Sequence, residues 1–167
     1  MTTGKTINLI SPGEGPTFAV VTDLVTFKVG GEESECAFAL VEVTVPPGGG
    51  PPALHTHPPQ ETFYILEGEF EIAGLEEGQP SFRRARAGAT IHIPGGVPHN
   101  YKNVGSTPGR FLALATPAGL EHFFAEMGLP VTDKAHPPQP ADPPDIARIM
   151  EVTRKYQIEF VGPPPGK

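Results

Sequence analysis

With a single cysteine, Cys36, the 167-residue chain cannot form an intramolecular disulfide, so packing alone must hold its fold. Because Cys36 precedes the apolar run Ala37-Phe38-Ala39-Leu40, it is expected to be a small core residue rather than a redox centre. Basic charge is scarce. Twelve Lys and Arg against nineteen Asp and Glu give a net charge of −7, no footprint for a phosphate backbone, so nucleic acid is not an expected partner. No apolar stretch approaches the ~18 residues of a membrane-spanning helix. The start, Met1 to Ile10, lacks the basic-then-apolar pattern of a signal peptide, so the expected location is cytoplasmic, without membrane contact. Internal repeats are missing too, and the length suits one domain rather than a duplicated pair.

What the chain has in quantity is glycine and proline, 20 and 22 residues, a quarter of the whole. They fall between short runs rich in β-branched and aromatic residues, as many-stranded antiparallel proteins require. Two short strands broken near Asp23 are expected within Thr17 to Val29. Further strands are expected at Ala37 to Val45, Thr62 to Leu66, Glu69 to Ala73, Ser81 to Ala87, Thr90 to Ile93, His99 to Val104 and Arg110 to Ala115. Glu76-Glu77-Gly78-Gln79-Pro80 reads as an exposed hairpin tip. After Pro117 the period changes to 3.6, with Leu120, Phe123, Phe124 and Met127 on one helical face stopped by Gly128. A second helix is expected from Pro143 to Tyr156, with Asp142 as N-cap and Ile146, Ile149, Met150 and Thr153 facing inward. The connector Lys134 to Pro144, with five prolines, is expected to be extended, and Pro163 to Lys167 to be a frayed tail.

Two blocks carry the chemistry: Gly49-x5-His55-x-His57-x3-Glu61-x6-Gly68 and Gly88-x5-Pro94-x-Gly96-x2-His99-x3-Asn103. Residues two apart on a strand share a face, so His55 and His57 project into one space. Pro58-Pro59 cannot continue a ladder, and the bend they impose lets Glu61 swing beside the pair. The Pro94-Gly95-Gly96 turn delivers His99 from another strand. Three imidazoles and a carboxylate suit one divalent transition metal, with Fe, Ni, Mn, Cu and Zn all compatible.

Both blocks resemble the two conserved motifs of the cupin superfamily without a gap, from Gly49 to Asn103; one departure is Gly88-Ala89, where cupins often have Gly-Asp. The resemblance implies an all-β fold, a double-stranded β-helix or jelly-roll barrel, over residues 1–116 (core 36–116). Residues 117–167 would form a helical, proline-rich extension packed on the barrel or on a dimer partner. It also implies a metal held by His55, His57, Glu61 and His99, and a homodimer. The segment Pro117 to Gly128 resembles the helix that follows the barrel in single-domain quercetinase-like cupins. The expectation is therefore a dioxygenase of quercetin 2,3-dioxygenase type, with dioxygen and a flavonol or related enolic aromatic small molecule as substrates. The alternatives are a non-catalytic metal-containing binding or sensor module, and a metal-dependent isomerase or lyase of small oxygenated acids. The latter would need one of Arg83, Arg84, Arg86 or Arg110 in the chamber.

Strand parity adds Tyr101 to the face of His99, where its hydroxyl is expected to orient a metal-bound ligand, while Glu61 is expected to take the substrate's proton. Phe63 and Ile65 share Glu61's face, and Phe38, Leu40 and Phe111 are the remaining candidates for the pocket wall. His92, His122 and His136 are left outside the ligand set.

Overall fold

A computed structural model describes residues 6–139 and 144–162. Its strands are β1 (Thr17–Val20), β2 (Asp23–Val29), β3 (Ala39–Val45), β4 (His55–Thr56), β5 (Gln60–Glu67), β6 (Glu69–Glu76), β7 (Gln79–Arg86), β8 (Thr90–Ile93), β9 (His99–Asn103), β10 (Gly109–Thr116), β11 (Leu129–Pro130) and β12 (Glu159–Phe160). Its helices are α1 (Leu120–Met127) and α2 (Ile146–Lys155). The strands form two antiparallel sheets, one ordered β11-β1-β2-β3-β10-β5-β8 and the other β12-β4-β9-β6-β7.

The pleat decides what is inside. In β3, Ala39, Val41, Val43 and Val45 are buried and the residues between them are not. In β10, Phe111, Ala113 and Ala115 alternate in the same way. These rows meet Phe63, Ile65, Phe70, Ile72 and Ile93 in one core between the sheets. Phe70, Ile65 and Phe111 are almost wholly enclosed, each contributing on the order of 2–3 kcal/mol of burial. A second cluster of Ala115, Leu120 and Ile158, flanked by Phe123, Phe124 and Tyr156, ties both helices to the end of β10.

The β6–β7 hairpin closes through Glu77-Gly78, both with positive φ, as its sequence requires. Three expectations need correction. Cys36 is exposed, because the chain turns there with positive φ before β3 begins. Asp145 caps α2, its side chain accepting from Arg148 N at 3.0 Å; Asp142, Pro143 and the tail from Pro163 lie outside the described residues. Val152 and Thr153 form the buried side of α2, with Ile146 and Met150 exposed; the helix buries its C-terminal half, while nearer its start the Arg148 guanidinium donates to Glu126 O at 2.7 Å.

Candidate metal centre

His55, His57, Glu61 and His99 come together at one end of the barrel, and their backbones explain how. His55 in β4 pairs directly with His99 in β9. Pro58-Pro59 ends β4, and Glu61 then enters β5 opposite Ala115 and Ile93. The turn before His99 docks on the histidine strand, with Gly96 N donating to His57 O at 2.9 Å. A Cβ on Gly95 would stand 2.2 Å from Pro58 O, so only glycine permits that approach. The first block is fixed in the same manner: a Cβ on Gly50 would stand 2.1 Å from Tyr101 O. The last motif residue, Asn103, is fully buried and donates through Nδ2 to Val45 O and Thr107 O, both at 2.9 Å.

Each imidazole is held by its Nδ1 on a backbone carbonyl two residues away: His55 on Ala53 at 3.2 Å, His57 on Pro59 at 2.8 Å and His99 on Val97 at 2.8 Å. A carbonyl only accepts, so every Nδ1 carries its hydrogen and the neutral rings present bare Nε2 lone pairs. Nε2 of His57 and Nε2 of His99 then face the same oxygen, Glu61 Oε2, at 3.1 and 3.2 Å. Acceptors so opposed need a cation or a proton among them. Two ligand atoms on one metal at ~2.1 Å lie about 3 Å apart when the bond angle is near 90°. The three histidine donors all lie within 4.8 Å of one another, and His57, Glu61 and His99 are buried. The residues present therefore fit a divalent ion in donor type, in spacing and in the backbone carbonyls that hold each ring.

The electrostatics agree. Burial alone would raise the pKa of Glu61, but with protons on His57 and His99 their hydrogen bonds and charge carry it down to about 2, so a cation among these groups, proton or metal, keeps the carboxylate ionised. Burial disfavours a charged His57, yet its hydrogen bond with Glu61 and Glu61's charge move its pKa upward overall. Burial, then repulsion from His99, lower His55 to about 4, which leaves it neutral and ready to ligate.

Around this centre the expected pocket residues divide. Phe63, Ile65 and Phe111 are buried within the barrel, where Phe63 and Phe111 pack at 4.8 Å between ring centroids. Leu40 falls on the opposite face of β3 from the buried row, and Phe38 precedes the strand, its carbonyl accepting from the Ser34 hydroxyl; neither lines the interior. Tyr101 lies inside, edge-on to Phe63 and Phe111, but its hydroxyl donates to Asp23 Oδ2 at 2.7 Å instead of turning to the three histidines and Glu61. Asp23 is a buried carboxyl that sequence reading treated only as a break between strands; burial pushes its pKa up to about 6 despite hydrogen bonds from Tyr101 and Thr22. Its signal was weak, since an Asp between two strands ordinarily marks a turn. His92 is exposed and bonded to Thr62, His122 is exposed on α1, and His136 pairs with Asp133; all three stand apart from the cluster of His55, His57 and His99.

The C-terminal segment reaches the centre in a way no motif announced. In β12, Phe160 pairs with His55 and Glu159 with Thr56, and Val161 N donates to Leu54 O at 2.8 Å. Between the edge strands β7 and β8 a cleft of about 450 Å³ opens, with His99, Ile72, Ile93, Arg83 and Arg84 among its walls. Arg86 and Arg110 are not among them; Arg110 pairs with Glu67 and Glu42 elsewhere.

Residues 41–115 match the family described as the cupin domain. A stretch of 78 residues is 35% identical to germin-like protein subfamily 2 member 2 of Arabidopsis thaliana, covering 45% of this chain and 35% of that protein. The chain thus matches about a third of the length of that curated relative. Among solved structures, the polyketide cyclase RemF from Streptomyces resistomycificus aligns with a TM-score of 0.58 at 21% identity, over 66% of this chain and 80% of its own. An RmlC-like cupin from Shewanella frigidimarina gives 0.54 at 18%, over 71% and 99%. An oxalate oxidase gives 0.52 at 26%, over 59% and 54%. The fold is the cupin jelly roll with C-terminal helices, and the family match supports the cupin superfamily.

Proposed function

We propose that this cupin-fold chain is a metal-dependent dioxygenase of quercetinase type, acting on a flavonol or a related enolic aromatic substrate. The observation that carries the reading is the convergence of two Nε2 lone pairs on the anionic oxygen of Glu61 inside a barrel of aromatic side chains. That arrangement calls for a cation, and its flank at His99 adjoins an open cleft. A divalent ion held by His55, His57, Glu61 and His99 would supply Lewis acidity and coordination positions for the substrate's enol oxygen and for dioxygen. The chain's own residues do the rest. The carbonyl-anchored imidazoles keep the ligand geometry fixed through turnover. Glu61, whose two imidazole contacts both fall on Oε2, takes the substrate's hydroxyl proton on binding, and Phe63 and Phe111 exclude water from the inner wall. Tyr101 contributes its ring edge to that wall while Asp23 holds its hydroxyl.

The named solved neighbours include enzymes, an oxalate oxidase and a polyketide cyclase, which supports catalysis over storage. The presence of Arg83 at the cleft favours one second reading, a metal-dependent isomerase or lyase of small oxygenated acids. We further propose a homodimer, supported by the exposed Tyr64 and Leu66 on the outer face of β5 and by Ile7 and Leu9 at 101% and 84% exposure; a monomeric mass by light scattering would refute it. A lone cysteine suits a reducing cytoplasm.

The deciding experiment is elemental analysis of protein expressed without added metal, followed by oxygen uptake with quercetin for each metal form. A stoichiometric redox-capable ion with flavonol-dependent uptake supports the dioxygenase. Tightly held zinc and no uptake with any flavonol would overturn it in favour of a binding module.

A further inference from the structure

We propose that the cleft between β7 and β8 is the substrate groove and that Arg83 anchors an anionic group there, so that the substrate is a flat, mostly apolar acid. Its opposite end would reach the metal ligands, and the proposal rests on reading those ligands as an enzyme's metal centre. The register across the second sheet carries the geometry. Ser81 pairs with Gly74 and Gly74 with His99; Arg83 pairs with Ile72 and Ile72 with Tyr101. Residues 81, 83 and the buried Ala85 share one face of β7, and that face is the concave one. Arg83 therefore stands two strand spacings, about 10 Å, from the row that bears His99 and Tyr101.

Gly74 keeps that span open. Its backbone does not require glycine: a Cβ there would meet Pro98 O at 3.4 Å and Ser81 Oγ at 3.5 Å, which is ordinary contact. A side chain larger than a methyl would stand in the groove between Ser81 and His99. The walls on either side are apolar, formed by Ile72, Ala85, Ile91 and Ile93, and the volume of about 450 Å³ suits a small organic molecule. Among the described residues that line the cleft, Glu76 is the one carboxylate, and it pairs with Arg83. Their side chains are 58% and 68% exposed, so the pair is held weakly and a carboxylate entering the groove can take the guanidinium fork in its place. Arg84 turns to the other face of β7, toward Glu69 and Glu71, and is not the anchor.

The test is calorimetric titration of the zinc-loaded protein with 3-hydroxyflavone and with its 4′-carboxylate. The acid is expected to bind about tenfold more tightly than the neutral compound. Arg83→Gln should erase that advantage and leave the neutral compound's affinity unchanged, Glu76→Gln should enlarge it, and Gly74→Val should weaken both ligands. Metal content should stay equal in all three, since none is a ligand, and this certifies their folding. Equal binding of the two compounds, no binding of either, or an advantage that survives Arg83→Gln overturns the anchor. Oxygen uptake with 3-hydroxyflavone in the same variants loaded with iron, nickel, manganese or copper instead of zinc reports separately on the dioxygenase: uptake without an acid preference keeps the enzyme and removes the anchor, and an Arg83-dependent preference without uptake does the reverse.

Discussion

The hydroxyl of Tyr101 donates to Asp23 Oδ2 at 2.7 Å, linking the strand that carries His99 to the strand at the other side of the barrel. Thr22 Oγ1 donates to the other oxygen at 2.8 Å and accepts from Gly50 N, so one buried carboxyl gathers β2, β9 and the loop that opens the first motif. The carboxyl is satisfied but still costly to ionise.

Asp23 has a folded pKa of about 6, above its ordinary 3.8, so the folded state binds this proton more tightly than the unfolded chain. Its contribution to stability is present in full below pH 3.8 and is lost as pH rises through 6, a cost of about 3 kcal/mol at neutral pH. Asp23→Asn should therefore match or exceed the wild-type stability at pH 7.5 and fall below it at pH 4. Urea denaturation of both proteins at the two pH values checks this, and parallel pH profiles would contradict it.

In the metal-free protein a proton shared around His57 and Glu61 separates the opposed acceptors, and the raised pKa of His57 means that this support is present at low pH and lost as pH rises through that pKa. Metal replaces the proton, and its affinity grows as the ligands deprotonate. The gap in Tm between zinc-loaded and metal-free protein should widen from pH 6 to pH 8.5. Differential scanning calorimetry in the two states measures it, and a constant gap would remove Glu61 and His57 from the proton's path.

Gly95 lies where a methyl would meet Pro58 O at 2.2 Å. Gly95→Ala must push the Pro94 turn away from the His57 strand, costing about 2–3 kcal/mol and separating His99 from His57. Chemical denaturation and a zinc titration should both register the change, whereas unchanged zinc affinity would mean that the turn does not set the ligand spacing.

Val161 N bonds Leu54 O beside His55. Val161→Pro removes the donor, and with it about 1 kcal/mol of the pairing that holds β12 against β4. Zinc affinity should fall about tenfold, the scale of losing a support behind a ligand. Competition with a chromophoric chelator reads it directly, and equal affinity would show β12 to be a passive edge.

Local rules made much of this molecule legible. Period-two burial placed Phe63, Ile65 and Phe111 inside, and the 3.6-period run from Leu120 gave α1, because those signals live within one element. The same rules misplaced Leu40, since parity says which residues share a face but not which face is the core. Cys36 read as core because its neighbours are apolar, yet a turn with positive φ lifts it out. Ile146 and Met150 had the right spacing for a buried stripe, but no partner among the described residues buries them.

By itself, the sequence determined the barrel and the four residues that meet at its end, because two motifs encode strand parity, prolines that break ladders and glycines that permit close backbone approach. Only the tertiary structure decided that Tyr101 is tethered to Asp23, that β12 lies against His55, and that Arg83 shares a cleft with His99. Those relationships join residues 78, 105 and 16 positions apart, across strands whose order in the sheets is fixed by packing of the whole core. No periodicity within one segment records a neighbour that another segment supplies.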